Sequence, residues 1–203
     1  MSIAPKKIKV NNRQIDDHIK ASRTAIFFEA IKNSDRAAAI IITGFLDNEL
    51  LQTLQHVLAP IGNEGMKSLL RENGPLSAFS DKILIAEAIG LIGERTKKNL
   101  NTIRQIRNEF SHNPKPINFD SQRISDLSKN LDPAGWESEK PFNERVDDFI
   151  KLIESDKSLD GHHHNTHPNR IRFFLTVSSI EYGLGKIKEK PRKKYRSPFQ
   201  YLS

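Results

Sequence analysis

Apolar residues recur at helical spacing along most of this chain, and no other feature constrains its fold as strongly. The broadest apolar stripe runs along 35–58 and contains Ala37, Ile40, Ile41, Gly44, Phe45, Leu51, Leu54 and Leu58. Because residues three and four apart share one face of a helix, this stripe predicts a long helix. Strand-like alternation is nowhere sustained in the sequence. The chain is therefore predicted to be all-α, an irregular multi-helix bundle.

The same spacing, interrupted by glycine, proline and polar residues, predicts the other elements. Further helices are expected over about 14–32, 78–91, 95–112, 121–130, 143–154 and 169–185. Ser34 is the expected N-cap of the helix over 35–58. The core side of the helix over 95–112 is marked by Leu100, Ile103, Ile106 and Phe110. Residues 60–77 are expected to form a loop with a short helical turn at 66–70, and 155–169 a polar loop.

Positive charge is concentrated at the two ends of the chain. Of the formal net charge of +7, residues 1–13 carry +4 and residues 186–196 carry +6, which leaves −3 for the stretch between them. A helical domain, 14–185, is thus predicted between a basic N-terminal arm, 1–13, and a basic C-terminal tail, 186–203. Basic arms can bind the phosphates of DNA or RNA without sequence preference, or simply be solubilising segments. The candidate contacts in the tail are Lys186, Lys188, Lys190, Arg192, Lys193, Lys194 and Arg196.

Composition excludes several classes of protein. With 203 residues, 36% of them hydrophobic and 28% charged, the chain fits one soluble domain with polar appendages. Cysteine is absent, which removes disulfides, thiolate metal sites and cysteine nucleophiles. No apolar run approaches the roughly 18 residues of a membrane span, and no signal peptide is recognisable. We expect a cytoplasmic protein with no membrane contact and no cofactor.

A histidine-rich segment, His162–His164 with His167, suggests a metal site because imidazoles are common ligands. No acid or cysteine accompanies these histidines at ligand spacing, and Gly161 and Pro168 indicate an exposed loop. No metal is therefore predicted to bind here.

The most informative motif lies at the end of the helix over 95–112. Arg107, Asn108 and His112 form an Arg-x4-His element that is followed by Pro114. On an ideal helix Arg107 and His112 lie about 140° apart, too far to share a face. Pro114 disfavours the helical conformation of the residue before it, so His112 belongs to the last turn, where an unwound backbone would let its ring approach Arg107.

Two interpretations of this motif remain open. A structural one pairs Arg107 with Asp35 or Asp47 of the preceding long helix, and lets His112 cap its own helix. The other interpretation gives the motif a chemical role on a phosphodiester. In either interpretation the motif is expected to form a central polar constellation, with Asp35 and Arg36 as candidate partners across the helix pair.

The sequence resembles the bacterial mannitol repressor family, the regulators associated with mannitol operons. The resemblance covers about half the chain in order, and its matching pieces are 34–38, 45–47 with 50–51, 75–77, 79–80 with 82–83, 88–92, 103–112, 119–120 and Arg170-x-Arg172-Phe173. Ser111 stands where the family usually has alanine. The resemblance implies a transcriptional regulator and repressor.

The Arg-Asn-x-Phe-x-His arrangement is also similar to the HEPN group of helical domains, many of which are metal-independent ribonucleases acting as dimers. This likeness implies an HEPN-like bundle in which His112 would be the general base and Arg107 would stabilise the transition state, with Asn108 orienting either group. Such chemistry needs no metal.

We therefore predict a transcriptional regulator rather than an enzyme. The alternative is a metal-independent endoribonuclease. The segment 93–107 matches a DNA-recognition helix better than any other segment, but the apolar residues of this helix indicate that much of it is buried. Action through a protein partner, or through basic-arm contacts with DNA or RNA, is expected instead. A homodimer is the predicted state.

Overall fold

Seven α-helices make up the part of the chain that the computed structural model describes, namely residue 30 and residues 32–58, 61–132, 141–155 and 166–190. In chain order they are α1 (Asp35–Val57), α2 (Gly62–Leu70), α3 (Phe79–Ala88), α4 (Glu94–His112), α5 (Gln122–Lys129), α6 (Phe142–Ser155) and α7 (Pro168–Lys188). No strand occurs in these ranges. The all-α fold class is confirmed, whereas most of the predicted helix over 14–32 lies outside the described residues. None of the described helices has the length and apolarity needed to cross a membrane.

α1 begins where the sequence predicts because Ser34 caps it. The Ser34 hydroxyl accepts a hydrogen bond from the Ala37 backbone amide at 3.3 Å, which satisfies one of the donors left free at a helix start. Asp35 adds a negative charge in the first turn, where the helix dipole favours it. α1 then packs against α3, α4 and α7, with Leu46 and Leu50 fully buried. It is the central helix of the described bundle.

A chain of phenylalanine rings connects α4 to α7. The ring centroid of Phe110, at the end of α4, lies 5.1 Å from that of Phe119, which lies 5.5 Å from that of Phe173 in α7. Phe119 belongs to the segment between α4 and α5 and is fully buried. The predicted core residues of α4 are all buried: Leu100, Ile103, Ile106 and Phe110. The end of the motif helix is therefore anchored in the core.

α2 is longer than the short turn predicted at 66–70. Gly62 and Gly65 disfavour helix locally, but Leu69 and Leu70 pack against the core and hold the element in place. Gly65 also allows the Ile61 side chain to pack closely against α2, since a Cβ at position 65 would lie 2.9 Å from Cβ of Ile61. Tertiary packing thus outweighs weak helix propensity in this segment.

α7 begins at Pro168 and continues to Lys188, beyond the predicted end at 185. His167 is its N-cap, with Nδ1 accepting a hydrogen bond from the Asn169 amide at 3.3 Å, and proline is favoured at the first helical position. Lys186 and Lys188 lie in the last turn, where the helix dipole favours positive charge. Part of the predicted basic tail is therefore helical.

Candidate functional site

The Arg-x4-His element occupies the last two turns of α4. His112 is the last helical residue, and Asn113 before Pro114 is extended with φ −77° and ψ 120°. The helix does not unwind before His112, so helical geometry keeps this residue about 140° from Arg107. Both side chains are exposed, and Arg107 donates a hydrogen bond to Oδ1 of Asn108 at 3.1 Å. A single chain therefore does not bring Arg107 and His112 together.

Two pockets adjoin this end of α4. The first, here called the arginine pocket, has a volume of about 260 Å³ and is lined by Thr43, Gly44 and Asp47 of α1, by Ala78, Phe79 and Ser80, and by Arg104, Arg107 and Asn108 of α4. The second is a shallower pocket of about 420 Å³ lined by Asn108, Glu109, His112, Asn113 and Pro114. Asn108 lines both pockets, whereas Arg107 faces only the first and His112 only the second.

The predicted ion pair between Arg107 and Asp35 or Asp47 is not formed among the described residues. Asp47 instead accepts a hydrogen bond from Nζ of Lys82 at 2.7 Å, and the Lys82 side chain is only 7% exposed. A buried ammonium group needs such a partner, so the Asp47 carboxylate pairs with Lys82 of α3 instead of with Arg107. Asp47 nevertheless lines the same pocket as Arg107.

Asp35 and Arg36 hold the segment that follows the motif. The Arg36 guanidinium donates to the backbone carbonyls of Asn113 at 2.9 Å and Lys115 at 2.8 Å. The Asp35 carboxylate accepts a hydrogen bond from the Phe119 amide at 3.0 Å. The two predicted partner residues thus contact the chain just beyond His112 rather than Arg107 itself. They fix the position of the motif helix relative to α1.

Arg170 is a fully buried charged residue whose role the sequence did not indicate. Its side chain has no solvent exposure, and it donates to the carbonyls of Ala30 at 2.8 Å and Asn33 at 3.0 Å. It also faces Asp35 at 3.4 Å and covers the ring of Phe174 at 5.2 Å. Burial lowers the pKa of Arg170 to about 10, while Asp35 opposes this shift, so the guanidinium stays charged at neutral pH. Only the family resemblance at Arg170-x-Arg172-Phe173 pointed to this position.

Two lysines of the predicted nucleic-acid-binding tail form ion pairs within the fold. Lys188 contacts Glu49 of α1 at 2.6 Å, and Glu49 is buried. Lys186 contacts Glu189 at 2.9 Å, and the hydrogen bond it donates raises the pKa of the lysine. Lys190 is exposed at the end of the described chain. The other predicted contacts lie outside the described residues: Arg192, Lys193, Lys194 and Arg196.

No group of three or more potential metal-ligating side chains occurs within the described ranges. Of the predicted histidine-rich loop, His167 is described, and its Nε2 lies 3.5 Å from a carboxylate oxygen of Asp120. His162, His163 and His164 lie outside those ranges. The role of His167 in the described structure is to cap α7.

Comparison with known proteins shows similarity at the level of the fold. No protein-family model matches the chain, and no curated protein matches it either. The crystal structure of a possible transcriptional regulator YggD from Shigella flexneri 2a str. 2457T matches with a TM-score of 0.56 and 14% identity, over 78% of this chain and 94% of that chain. A chain in the X-ray structure of the MtlR–HPr complex from Escherichia coli matches with a TM-score of 0.51 and 17% identity, over 81% of this chain and 99% of that chain. This chain therefore has the fold of these two proteins, which agrees with the fold implied by the resemblance to mannitol repressors.

Proposed function

We propose that this chain is a transcriptional regulator that acts through a protein partner, as a homodimer. The observation that carries the proposal is the fold shared with a possible transcriptional regulator and with a chain solved in a complex with HPr. The motifs similar to those of mannitol repressors support the same role. The partner we propose is a protein of the HPr type.

The surroundings of α4 support a protein partner over direct reading of DNA by a helix. A recognition helix must present several polar side chains to base edges in the major groove. In α4, Lys97 is paired with Glu87 at 2.8 Å, and Arg95 contacts Asp132 at 3.5 Å. The helix packs against α1, α3, α5 and α7, and its apolar face is buried. The Arg95 and Lys97 side chains near the start of α4 are therefore engaged within the bundle.

Calorimetric titration of the full chain with purified HPr tests the proposal. We expect saturable binding with a Kd on the order of micromolar, about −8 kcal/mol. Titration with DNA of unrelated sequence, in parallel, should give only binding that weakens steeply with salt. Replacing Arg192, Lys193, Lys194 and Arg196 together by serine should weaken this DNA binding and its salt dependence, and leave HPr binding unchanged. Salt-resistant affinity for one operator, with no affinity for HPr, would contradict a partner-based mechanism.

A metal-independent endoribonuclease is the second candidate. The observation that favours it is the exposure of Arg107 and His112 on either side of Asn108, whose side chain lines both pockets. Catalysis would require a second chain to complete the centre, because one chain keeps the arginine and the histidine on different faces. His112 would then take the proton of a ribose 2′-hydroxyl, and Arg107 would stabilise the charge that develops on phosphorus oxygens.

Incubation of end-labelled RNA with the protein in EDTA separates the two candidates. We expect the RNA to stay intact, because a regulator that acts through a protein partner needs no phosphodiester cleavage. Cleavage that leaves 2′,3′-cyclic phosphate ends and disappears in both Arg107→Ala and His112→Ala would establish the nuclease instead. Both side chains are exposed, so each variant should keep the wild-type stability to within about 0.5 kcal/mol. Circular dichroism and thermal unfolding check that condition.

A further inference from the structure

The arginine pocket has two arginines in its lining and one carboxylate, which is already paired. Arg104 and Arg107 are three residues apart on α4 and therefore share one face. Both line the pocket, and Nε of Arg104 is buried without a hydrogen-bond partner among the described residues. Asp47 is the one acid in the lining, and Lys82 already neutralises it at 2.7 Å. The pocket is thus suited to an anion.

Thr43 supplies the pocket wall with a buried hydroxyl that lacks a partner. The residue is 3% exposed, and its Oγ1 has no hydrogen-bond partner in the described part of the structure. Other buried helical threonines donate to the carbonyl four residues earlier, as Thr53, Thr102 and Thr176 do. A buried hydroxyl without a partner is costly, and native structures rarely leave one unexplained. Its place on the wall indicates a bound group that accepts its hydrogen bond.

The N-terminus of α3 closes the same pocket. Ala78, Phe79 and Ser80 line it, and the N-cap Ala78 has no side chain that can accept from the first amides. The amides of a first helical turn lack acceptors within the helix, and the helix dipole favours an anion beside them. Asp81 also lies in this turn but does not line the pocket. Donors from α1, α3 and α4 therefore surround one cavity.

We propose that the arginine pocket binds a phosphoryl group, carried by a small phosphate monoester or present as free phosphate. A phosphoryl group offers several acceptor oxygens, which the two guanidinium groups, Asn108, Thr43 and the first amides of α3 can share. The volume of about 260 Å³ lies below the range of roughly 300–1,000 Å³ typical of sites for drug-sized ligands, so the occupant is small. Such binding involves no macromolecular partner and is independent of the proposed function.

This site differs from the nuclease centre considered above. His112 lies in the neighbouring shallower pocket, whereas Thr43, Arg104 and the N-terminus of α3 have no part in the Arg-x4-His chemistry. The arginine pocket is built within one chain, and Asp47, the carboxylate in its lining, is already paired with Lys82. Recognition of the anion is its expected role.

Calorimetric titration of the full chain with sodium phosphate and with glycerol 3-phosphate, against sodium chloride of equal ionic strength, tests the proposal. We expect one site per chain for at least one of the two probes and no saturable heat with chloride. Arg104→Ala and Arg107→Ala should each weaken binding at least tenfold. Thr43→Val should weaken it severalfold without lowering the melting temperature, because valine has the same shape and removes the unsatisfied hydroxyl. Tighter binding of glycerol 3-phosphate would identify an ester, and tighter binding of phosphate the free ion.

Two further variants keep the experiment decisive. Arg95→Ala is the matched control, since it removes an exposed arginine from the first turn of the same helix outside the pocket. Gly44 lines the pocket and a Cβ there would meet no neighbouring atom within 4 Å, so we expect the side chain of Gly44→Leu to occupy pocket space. This variant should fold and lose binding. Absence of binding by both probes, equal weakening by Arg95→Ala and Arg107→Ala, or wild-type affinity in Gly44→Leu would each overturn the proposal.

Discussion

Replacement of Arg170 by methionine is expected to lower the free energy of unfolding by about 3–5 kcal/mol, the cost of breaking a buried ion pair from one side. The substitution leaves the Asp35 carboxylate, 18% exposed, without its guanidinium. It also removes the donor that satisfies the carbonyls of Ala30 and Asn33. Urea denaturation followed by circular dichroism measures the loss.

Arg172→Met is the matched control for this prediction. Arg172 lies on the same turn of α7, is partly exposed and contacts Asn143 and, at 4.9 Å, the ring of Phe142. Because solvent screens such contacts, we expect a loss below about 1 kcal/mol. A double-mutant cycle with Asp35→Asn should give a coupling of at least about 1 kcal/mol with Arg170→Met. Equal effects of the two arginine variants would mean that Arg170 does not hold the bundle together.

Phe119→Ala should have a comparable effect, a loss of about 3–5 kcal/mol, as for other fully buried phenylalanines. The ring is fully buried between those of Phe110 and Phe173, so its removal leaves a cavity in the core. Its backbone is also fixed at both ends, since the amide donates to Asp35 and the carbonyl accepts from Asn169 at 3.1 Å. We expect the segment 113–119 to exchange its amide hydrogens faster in the variant.

Phe149→Ala on α6 provides the comparison for this second prediction. Phe149 is only partly buried against the core, so its truncation should cost less than half as much. Hydrogen exchange followed by mass spectrometry, together with thermal unfolding, measures both effects. Unchanged exchange in 113–119 would show that Phe119 does not anchor the end of the motif helix.

The sequence predicted those features of the fold whose signals lie within a few neighbouring residues. The cap at Ser34, the end of α4 before Pro114 and the inward face marked by Ile103 and Phe110 all follow from local rules. Each depends on a hydrogen bond, a periodicity or a proline restriction within one helix or directly beside it. These predictions were therefore confirmed to within a few residues.

Features that depend on distant partners were not predictable in this way. In the sequence, Arg170 looks like an ordinary charged surface residue, because the carbonyls that accept its hydrogen bonds lie 137 and 140 residues earlier. The arginine pocket was unpredictable for the same reason. Periodicity indicates which faces of α1 and α4 are polar, but it does not show that the N-terminus of α3 closes the space between these helices. α2 was underestimated because Leu69 and Leu70 stabilise it through tertiary contacts.

The residues that carry the family resemblance form one contact network. Asp35 bonds to Phe119 and Arg170, and Arg36 bonds to the segment that follows His112. All of these lie in the matching pieces or directly beside them. The resemblance therefore concerns the contacts that hold this bundle together, and it gives less information about whether Arg107 and His112 act chemically.

The long-range bonds of α7 also determine when the protein can finish folding. Arg170 contacts a carbonyl 140 residues earlier, and Lys188 contacts Glu49, which lies 139 residues earlier. During synthesis, α1 leaves the ribosome well before the helix that covers it has been made. Its buried leucines must wait for that helix, as is general for contacts between residues far apart in sequence. We expect a nascent or truncated chain that ends before α7 to expose this apolar surface, which favours aggregation.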